Sequence, residues 1–270
     1  MSKNSPQLPK KSLGQHWLND QASLMAIAAA AAIKPSHTVL EIGPGQGSLT
    51  KVLLAAASQV VAVEKDEKLA ANLRAQVSAA NLRVITQDIL KFDLTSLPAG
   101  YKVVANIPYY LTSNLIRVLC ESENPFSVAV LLVQKEVAER AAAAPGQMSL
   151  LGVSAQYYCQ VSLGKVVPAE LFDPPPKVDS QILILKYRAQ PLFENVDAKL
   201  LFRIVKAGFS QRRKTLTNSL SGGLKLERAE VTAALKQAKI TPSIRAQALD
   251  LADWHRLYLA FLNGSILDNT

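Results

Sequence analysis

The fold is decided by the stretch Tyr101-Lys102-Val103-Val104-Ala105-Asn106-Ile107-Pro108-Tyr109-Tyr110. Its first half is a short apolar run, which is typical of a strand that is covered on both faces of a sheet. Its second half places an amide, a proline and two aromatic rings directly after that strand. Because open α/β sheets bind ligands beyond the carboxyl ends of their strands, we expect Asn106 and Tyr109 to face a crevice. Such a crevice suits a planar, hydrogen-bonding group.

A glycine-rich loop, Gly43-Pro44-Gly45-Gln46-Gly47, follows the predicted strand 37–42 and precedes apolar residues at helical spacing. Strand, glycine loop and helix are typical of a nucleotide site, because glycine lets the backbone approach a ligand closely. A tight turn without a ligand is the alternative. A dinucleotide loop has the pattern G-x-G-x-x-G, whereas Ser48 stands at its sixth position here. This departure disfavours a nicotinamide-dependent dehydrogenase.

Acidic residues follow the next two predicted strands. Glu64 ends strand 59–63, twenty-one residues after Gly43, where a carboxylate can accept both hydroxyls of a ribose. Asp88 follows strand 82–86 and can accept a hydrogen bond from an adenine amine. Each acid alone is typical of a solvent-facing cap. Together with Gly43 and Asn106, however, they occupy four successive strand ends, which predicts a single crevice.

The composition indicates a folded globular chain. It has 270 residues, of which 49% are hydrophobic, and a net charge of +9, which allows one large and one small domain. Cys120 and Cys159 are its only cysteines and stand in unrelated contexts, so we expect no disulfide framework and no metal. No signal core or membrane-length apolar run is evident. We therefore expect a cytoplasmic protein that contacts no membrane. We also expect a monomer, although nothing in the sequence fixes the oligomeric state.

The pattern after Gln190-Pro191 is helical only and predicts a small all-α C-terminal domain. We therefore expect an N-terminal arm over 1–19, an α/β catalytic domain over 20–190 and a helical domain over 191–270. Between Arg203 and Arg245 lie ten basic residues and two acidic ones. This strong excess of positive charge favours binding of a polyanion over a surface that is merely solvated. The candidate residues for contacting the polyanion are Arg212, Arg213 and Lys214.

Two further segments are expected to flank the crevice. The arm residues 10–19 combine two lysines with His16 and Trp17, which can touch phosphate and base or simply lie on the surface. The first helix is expected to have its N-cap at Asn19 or Asp20. Residues 171–180 contain three consecutive prolines and form a stiff loop that holds Phe172.

With these stretches in hand, the sequence resembles the small-subunit (16S) ribosomal RNA adenine N6,N6-dimethyltransferase family, the kasugamycin-sensitivity enzymes. The resemblance covers residues 10–263. Family members usually have Asn in place of His16 and Phe in place of Trp17, and their Tyr-Gly-x-Leu-Ser run is replaced here by residues 148–152. The resemblance is carried by six motifs: Gly14-Gln15-His16-Trp17-Leu18, Glu41-Ile42-Gly43-Pro44-Gly45-Gln46-Gly47, Asn106-Ile107-Pro108-Tyr109, Gln134-Lys135-Glu136-Val137, Gln156-Tyr157-Tyr158-Cys159 and residues 172–180.

This resemblance implies a Rossmann-like class I methyltransferase sheet with helices on both faces, and S-adenosylmethionine as methyl donor without a metal. It implies two methyl groups on N6 of each of two adjacent adenosines, in a hairpin loop near the 3′ end of small-subunit rRNA. The RNA would be part of a pre-ribosomal or small ribosomal subunit particle during small-subunit biogenesis. The expected donor contacts are His16, Leu18, Gly43, Gly45, Glu64, Asp88 and Asn106.

The expected mechanism concerns an adenine N6 that is a poor nucleophile, because its lone pair is delocalised into the ring. The Asn106 side-chain oxygen and the Ile107 carbonyl can accept its two hydrogens and aim the lone pair at the methyl group. Pro108 makes the turn rigid. Tyr109 and Phe172 are expected to sandwich the base after it leaves its stack. No strong general base is required.

Two other functions remain open from the sequence. A large-subunit rRNA adenine methyltransferase of the antibiotic-resistance type shares the fold and the Asn-x-Pro-Tyr/Phe site. The proline loop and the basic helical segment resemble the small-subunit family more closely. A ribosome-assembly or RNA-binding factor with incidental methyl transfer is a candidate from another class.

Overall fold

The computed structural model describes residues 15–108 and 111–264, so Tyr109 and the first part of the predicted arm lie outside the described residues. A seven-stranded sheet has the order β4-β3-β2-β5-β6-β9-β7. Its strands are β2 (Thr38–Ile42), β3 (Gln59–Glu64), β4 (Leu82–Thr86), β5 (Lys102–Asn106), β6 (Val128–Gln134), β7 (Cys159–Val167) and β9 (Ser180–Tyr187).

The strands β4, β3, β2, β5 and β6 are parallel, and β9 is antiparallel to both β6 and β7. In the registers, Ile42 of β2 lies beside Val63 of β3 on one side and beside Ala105 of β5 on the other. Glu64 lies beside Thr86. The carboxyl ends of β2, β3, β4 and β5 therefore meet at one edge of the sheet.

Both faces of this sheet are covered. Val39, Val60 and Val104 share a core cluster with helices α1 and α2 on one face, and residues that alternate with them, such as Leu40 and Val103, are also fully buried. The α/β fold predicted from the sequence is thus confirmed. The helices of this region are α1 (Gln21–Ala30), α2 (Ser48–Leu54), α3 (Glu67–Gln76), α4 (Thr112–Cys120) and α5 (Lys135–Ala141).

The end of the predicted arm forms a short strand, β1 (Trp17–Leu18), which pairs antiparallel with β8 (Phe172–Asp173) in the proline loop. The His16 ring reinforces this contact, because its Nδ1 lies 2.7 Å from the Pro174 carbonyl oxygen. Asp20 then caps α1 by accepting a hydrogen bond from the Ser23 N–H, as the sequence predicts. Two segments that are 158 residues apart at the His16–Pro174 contact are therefore joined beside the sheet.

Contacts divide the chain into two compact units. Within the described residues, the first consists of 15–139 and Cys159–Tyr187, and the second of Arg140–Tyr158 and 188–264. The sequence places one boundary near residue 190, whereas residues 140–158 cluster with the helical unit. None of the described helices is long and apolar enough to cross a membrane. The helical unit contains α6 (Leu150–Tyr158), α7 (Ala198–Phe209), α8 (Leu216–Leu224), α9 (Arg228–Gln237) and α10 (Leu251–Asn263).

The helical unit has its own apolar core, in which Tyr157 of α6, Leu216 of α8 and Trp254 of α10 are buried together. This shared burial explains why α6 clusters with the C-terminal helices.

The helices α7 and α8 pack closely at one point. A Cβ atom on Gly223 would lie 2.7 Å from both the Cα and the Cβ of Ala207, whereas one on Gly222 would meet only the flexible Gln211 amide at 3.5 Å.

We predict that Gly223→Ala destabilises the protein by about 1–3 kcal/mol, because α7 and α8 must move apart to admit the methyl group. The neighbouring Gly222→Ala is the matched control. It should be neutral or stabilising by up to about 1 kcal/mol, since alanine favours a helix more than glycine does. Urea unfolding followed by circular dichroism measures both, and equal effects of the two substitutions would contradict the close packing.

Candidate active site

A cavity of about 180 Å³ lies at the carboxyl edge of the sheet in the first unit. It is bordered by the ends of β2, β3 and β5, by the glycine loop and by residues 15–18. The structure brings together there the residues that the sequence assigns to the donor, and Ile107 and Pro108 beside them. These donor residues are His16, Leu18, Gly43, Gly45, Glu64, Asp88 and Asn106.

Glu64 joins the end of β3 to the glycine loop of β2. Its carboxylate accepts hydrogen bonds from the Gly45 N–H at 3.2 Å and from the Asp66 N–H at 2.9 Å. Burial raises the pKa of Glu64, and the hydrogen bonds from these two N–H groups oppose that rise. Gly45 has a φ of +56°, a left-handed conformation that glycine adopts without strain. The carboxylate thus holds the loop in a shape that leaves its backbone open to the cavity.

Asp88 supplies a charged acceptor at the border of the cavity. Its carboxylate accepts a hydrogen bond from Lys65 Nζ at 2.8 Å and another from the Leu90 N–H at 3.1 Å. The hydrogen bond from Lys65 lowers the pKa of Asp88. The group is therefore ionised at neutral pH and suited to a ligand amine.

Asn106, at the last position of β5, has a defined amide orientation. Its Nδ2 donates to the His16 carbonyl oxygen at 3.3 Å, and its Oδ1 accepts no hydrogen bond from a described residue. The assignment of nitrogen and oxygen follows from this hydrogen bond. The segment before β1 thus occupies the donor end of the amide and leaves the acceptor end available.

Phe172 is not where its expected role would place it. Its side chain is 4% exposed and belongs to the apolar core that includes Leu18 and Leu24. The reason is local, because Phe172 pairs with the buried Leu18 across β1 and β8, so both side chains join the core. Phe172 does not line the cavity, and its stacking role stays a prediction. The expected partner, Tyr109, lies outside the described residues.

Glu41 is a charged-type residue of the cavity lining for which the sequence pattern predicts no role. It lies inside β2, is 1% exposed, and neither carboxylate oxygen has a hydrogen-bond partner among the described residues. Burial raises the pKa of Glu41 to about 8, the Thr50 hydroxyl, which lies near the carboxyl group but outside hydrogen-bond geometry, lowers it in part, and the charge of Glu64 adds to the rise. The available signal was a single acid within the otherwise apolar strand Val39-Leu40-Glu41-Ile42.

Trp17 presents a second unused polar group. Its indole Nε1 is buried without a hydrogen-bond partner among the described residues, and the ring lines the cavity. A Cβ atom on Gly45 would lie 3.4 Å from this nitrogen. The absence of a side chain at Gly45 therefore keeps the space beside the indole open.

A model of the family described as ribosomal RNA adenine dimethylase matches residues 7–262 of the chain. The chain belongs to this family. Curated relatives include "Ribosomal RNA small subunit methyltransferase A" of Dehalococcoides mccartyi, which is 42% identical over 93% of this chain and 88% of its own length. The protein of the same name from Streptococcus thermophilus is 41% identical over 92% of this chain and 90% of its own length. The family predicted from the sequence is therefore confirmed.

Solved structures agree with this assignment. A dimethyladenosine transferase from Plasmodium falciparum superposes with a TM-score of 0.77 at 29% identity, covering 93% of this chain and 98% of that one. A 23S rRNA methyltransferase, ErmE, superposes with a TM-score of 0.70 at 31% identity, covering 90% of this chain and 98% of that one. The prediction that the chain is an rRNA methyltransferase is confirmed by the family as well.

The helical unit contains a second cavity, of about 260 Å³. Arg212 and Lys214, from the loop between α7 and α8, line it together with Arg245. No carboxylate is present among the described residues of its lining, and none of these three cations has an ion pair within the described chain. Arg213 is exposed in the same loop but does not line the cavity. The structure thus separates Arg213 from its two neighbours and adds Arg245.

We predict that the free protein loses stability as the pH rises from about 4.5 to about 8, through Glu41. The unfolded state loses this proton near pH 4.5, whereas the folded state keeps it up to about pH 8. At about 1.4 kcal/mol per pH unit, the loss is at most about 5 kcal/mol. Glu41→Gln should remove this component, so that the variant is the more stable protein at pH 8 and above.

Urea unfolding of the two proteins across this pH range measures the difference. The exposed Glu123→Gln variant is the control and should follow the wild-type curve. Because burial also raises the pKa of Glu64, some pH dependence should remain in Glu41→Gln. Parallel curves for wild type and Glu41→Gln would show that Glu41 does not titrate in this way.

Proposed function

We propose that the protein transfers methyl groups from S-adenosylmethionine to N6 of two adjacent adenosines in small-subunit ribosomal RNA, two to each. The observation that carries this proposal is the convergence of Glu64, Asp88 and Asn106 on one cavity in a chain of the rRNA adenine dimethylase family. The proposed substrate is the RNA within a pre-ribosomal or small ribosomal subunit particle.

The cavity residues fit this donor. Glu64 has lone pairs left for ribose hydroxyls after it accepts its two N–H groups, and Asp88 is an ionised acceptor for an adenine amine. The open backbone at Gly45 admits the ligand closely, and the buried Glu41 and Trp17 present polar atoms that no described residue uses. When bound, the donor supplies a methyl group that is already activated by its positively charged sulfur.

Asn106 acts on the target amine. Its Oδ1 is free of described partners and its Nδ2 is held by the His16 carbonyl oxygen, so the acceptor is oriented before the base arrives. Together with the Ile107 carbonyl, this oxygen takes the two amine hydrogens and localises the nitrogen lone pair. Orientation and electrostatics set in advance are thus the main source of rate.

The extruded base also needs a stacking surface, because leaving the RNA stack costs a few kcal/mol. Each stacking contact between a base and an aromatic side chain stabilises the extruded base by about 1–3 kcal/mol. Phe172 would have to leave the apolar core that it shares with Leu18 to provide one. We therefore assign the primary stacking contact to Tyr109 and only an accessory one to Phe172.

We predict that Asn106→Ala lowers the single-turnover rate of methylation by at least about a hundredfold, the scale of removing one preorganised polar group. Donor affinity should stay close to that of the wild type, because the lost oxygen acts on the target base. The exposed Asn114→Ala is the matched control and should keep full activity.

The substrate is purified small ribosomal subunits, with large subunits in parallel, and the methylated positions are mapped. Full methylation activity in Asn106→Ala would contradict the proposed role of Asn106 in the mechanism. Methylation of the large subunit alone would instead favour the antibiotic-resistance type of activity.

For the RNA, we infer that the basic cavity of the helical unit holds backbone phosphates. Arg212, Lys214 and Arg245 converge there without carboxylates in the described lining, so their charges are available to an anion. Arg213 is exposed beside them and is assigned an outer phosphate contact. Phosphate contacts position the RNA and carry no sequence information by themselves. Selection of the adenosines then depends on the first unit.

We predict that replacing Arg212, Lys214 and Arg245 together by alanine weakens binding to small-subunit RNA and lowers its salt slope by about 2, since each lost phosphate contact releases fewer counterions. The control replaces Lys225, Arg228 and Lys236, which carry the same charge outside the cavity, and should change the slope less. Filter binding between low and moderate salt measures both. Equal losses from the two triple variants would mean that the net charge, rather than this cavity, attracts the RNA.

A further inference from the structure

Glu41 differs from the other acid of the donor cavity in its surroundings. The Glu64 carboxylate accepts two backbone N–H groups, whereas the two oxygens of Glu41 are buried with no hydrogen-bond partner among the described residues. Both side chains line the same cavity. A carboxyl group without a hydrogen bond to compensate its charge is stable in such a place when it is neutral, because a buried bare charge is very costly. The nearby Thr50 hydroxyl offsets only part of this cost.

The protonated form of Glu41 therefore predominates at neutral pH in the free protein, in agreement with its pKa of about 8. Glu64 is the charged neighbour whose field acts on it. Lys102 begins β5 at the far end of the strand from the cavity. The charged and titratable side chains on the surrounding described elements are Glu64, Lys65 and Asp66 at the end of β3, Asp88 after β4, Lys102 in β5, Lys51 in α2, Asp20 before α1 and His16 before β1.

We propose that Glu41 selects a positively charged ligand in this cavity by giving up its proton to solvent when the ligand binds. The neutral carboxyl group becomes a carboxylate, the ligand's positive charge takes the place of the proton, and no bond other than the O–H bond is broken. The inference rests on the proposed donor, which carries a sulfonium and an ammonium group. It goes beyond that function, because it makes donor binding a proton-releasing step.

In this proposal, Glu41 loses its proton in response to the positive charge of the ligand. A neutral nucleoside such as 5′-methylthioadenosine shares the adenine and ribose of the donor but has no positive group. It should bind through Glu64 and Asp88 without releasing a proton from Glu41. The contrast between the two ligands separates the charge from the nucleoside.

The test is isothermal titration calorimetry of the apo protein with S-adenosylmethionine at about pH 6.5, in phosphate and in Tris. The difference in heat between buffers of unlike ionisation enthalpy counts the protons released. At this pH the donor's own ammonium group, with a reference pKa near 8, stays charged. We expect close to one proton per donor bound for the wild type and close to none for Glu41→Gln.

Two further variants exclude the neighbouring titratable groups. His16→Asn and Glu64→Gln should keep the release of about one proton per donor bound, although Glu64→Gln should bind more weakly. A second measurement needs no substitution, because by linkage the wild-type donor affinity should rise about tenfold from pH 6 to pH 7. The affinity of Glu41→Gln should stay nearly flat over the same range.

Three results would overturn the inference. These are binding of the donor to wild type without proton release, undiminished release in Glu41→Gln, and equal release with 5′-methylthioadenosine. Failure of the donor to bind at any pH would overturn the proposed function and this inference with it. Binding without proton release would remove the inference alone, so the two failures are distinguishable.

Discussion

The parallel, in-register pairing of β2 with β3 and β5 is the constraint on which the rest of the site depends. It places Ile42 beside both Val63 and Ala105, so the residues that follow these strands leave the sheet at one edge. Glu64 can then reach the Gly45 N–H, although the two are nineteen residues apart. This contact stabilises the shape of the glycine loop, and the loop in turn forms one side of the cavity.

A second constraint comes from the pairing of β1 with β8. This short ladder brings the segment before α1 to the proline loop, and the His16 carbonyl thereby reaches the Asn106 amide. The orientation of the proposed catalytic amide thus depends on two pieces of chain that are remote in sequence. The same ladder buries Phe172, so the contact that organises Asn106 also withdraws a ring from the cavity.

The two acids in the cavity, Glu41 and Glu64, show that a residue placed for ligand binding can lower the stability of the fold. Glu64 is buried with hydrogen bonds that compensate its charge. Glu41 is buried without them and stays neutral, which makes the stability of the free protein depend on pH. A buried polar group without partners is destabilising. The presence of such a group within an apolar strand fits a ligand that supplies the missing charge.

The residue pattern alone predicts the alternation of strands and helices, the glycine loop and the strand-end positions of Glu64, Asp88 and Asn106, because apolar periodicity and turn residues act locally. It also determined the family through its motifs. Three features emerge only in the folded chain: residues 140–158 cluster with the helical unit, Phe172 is buried, and Arg245 joins Arg212 and Lys214. The same holds for Glu41, whose identity the sequence shows but whose lack of partners it does not. Burial and pairing between distant segments depend on which surfaces meet, and local residue patterns do not carry that information.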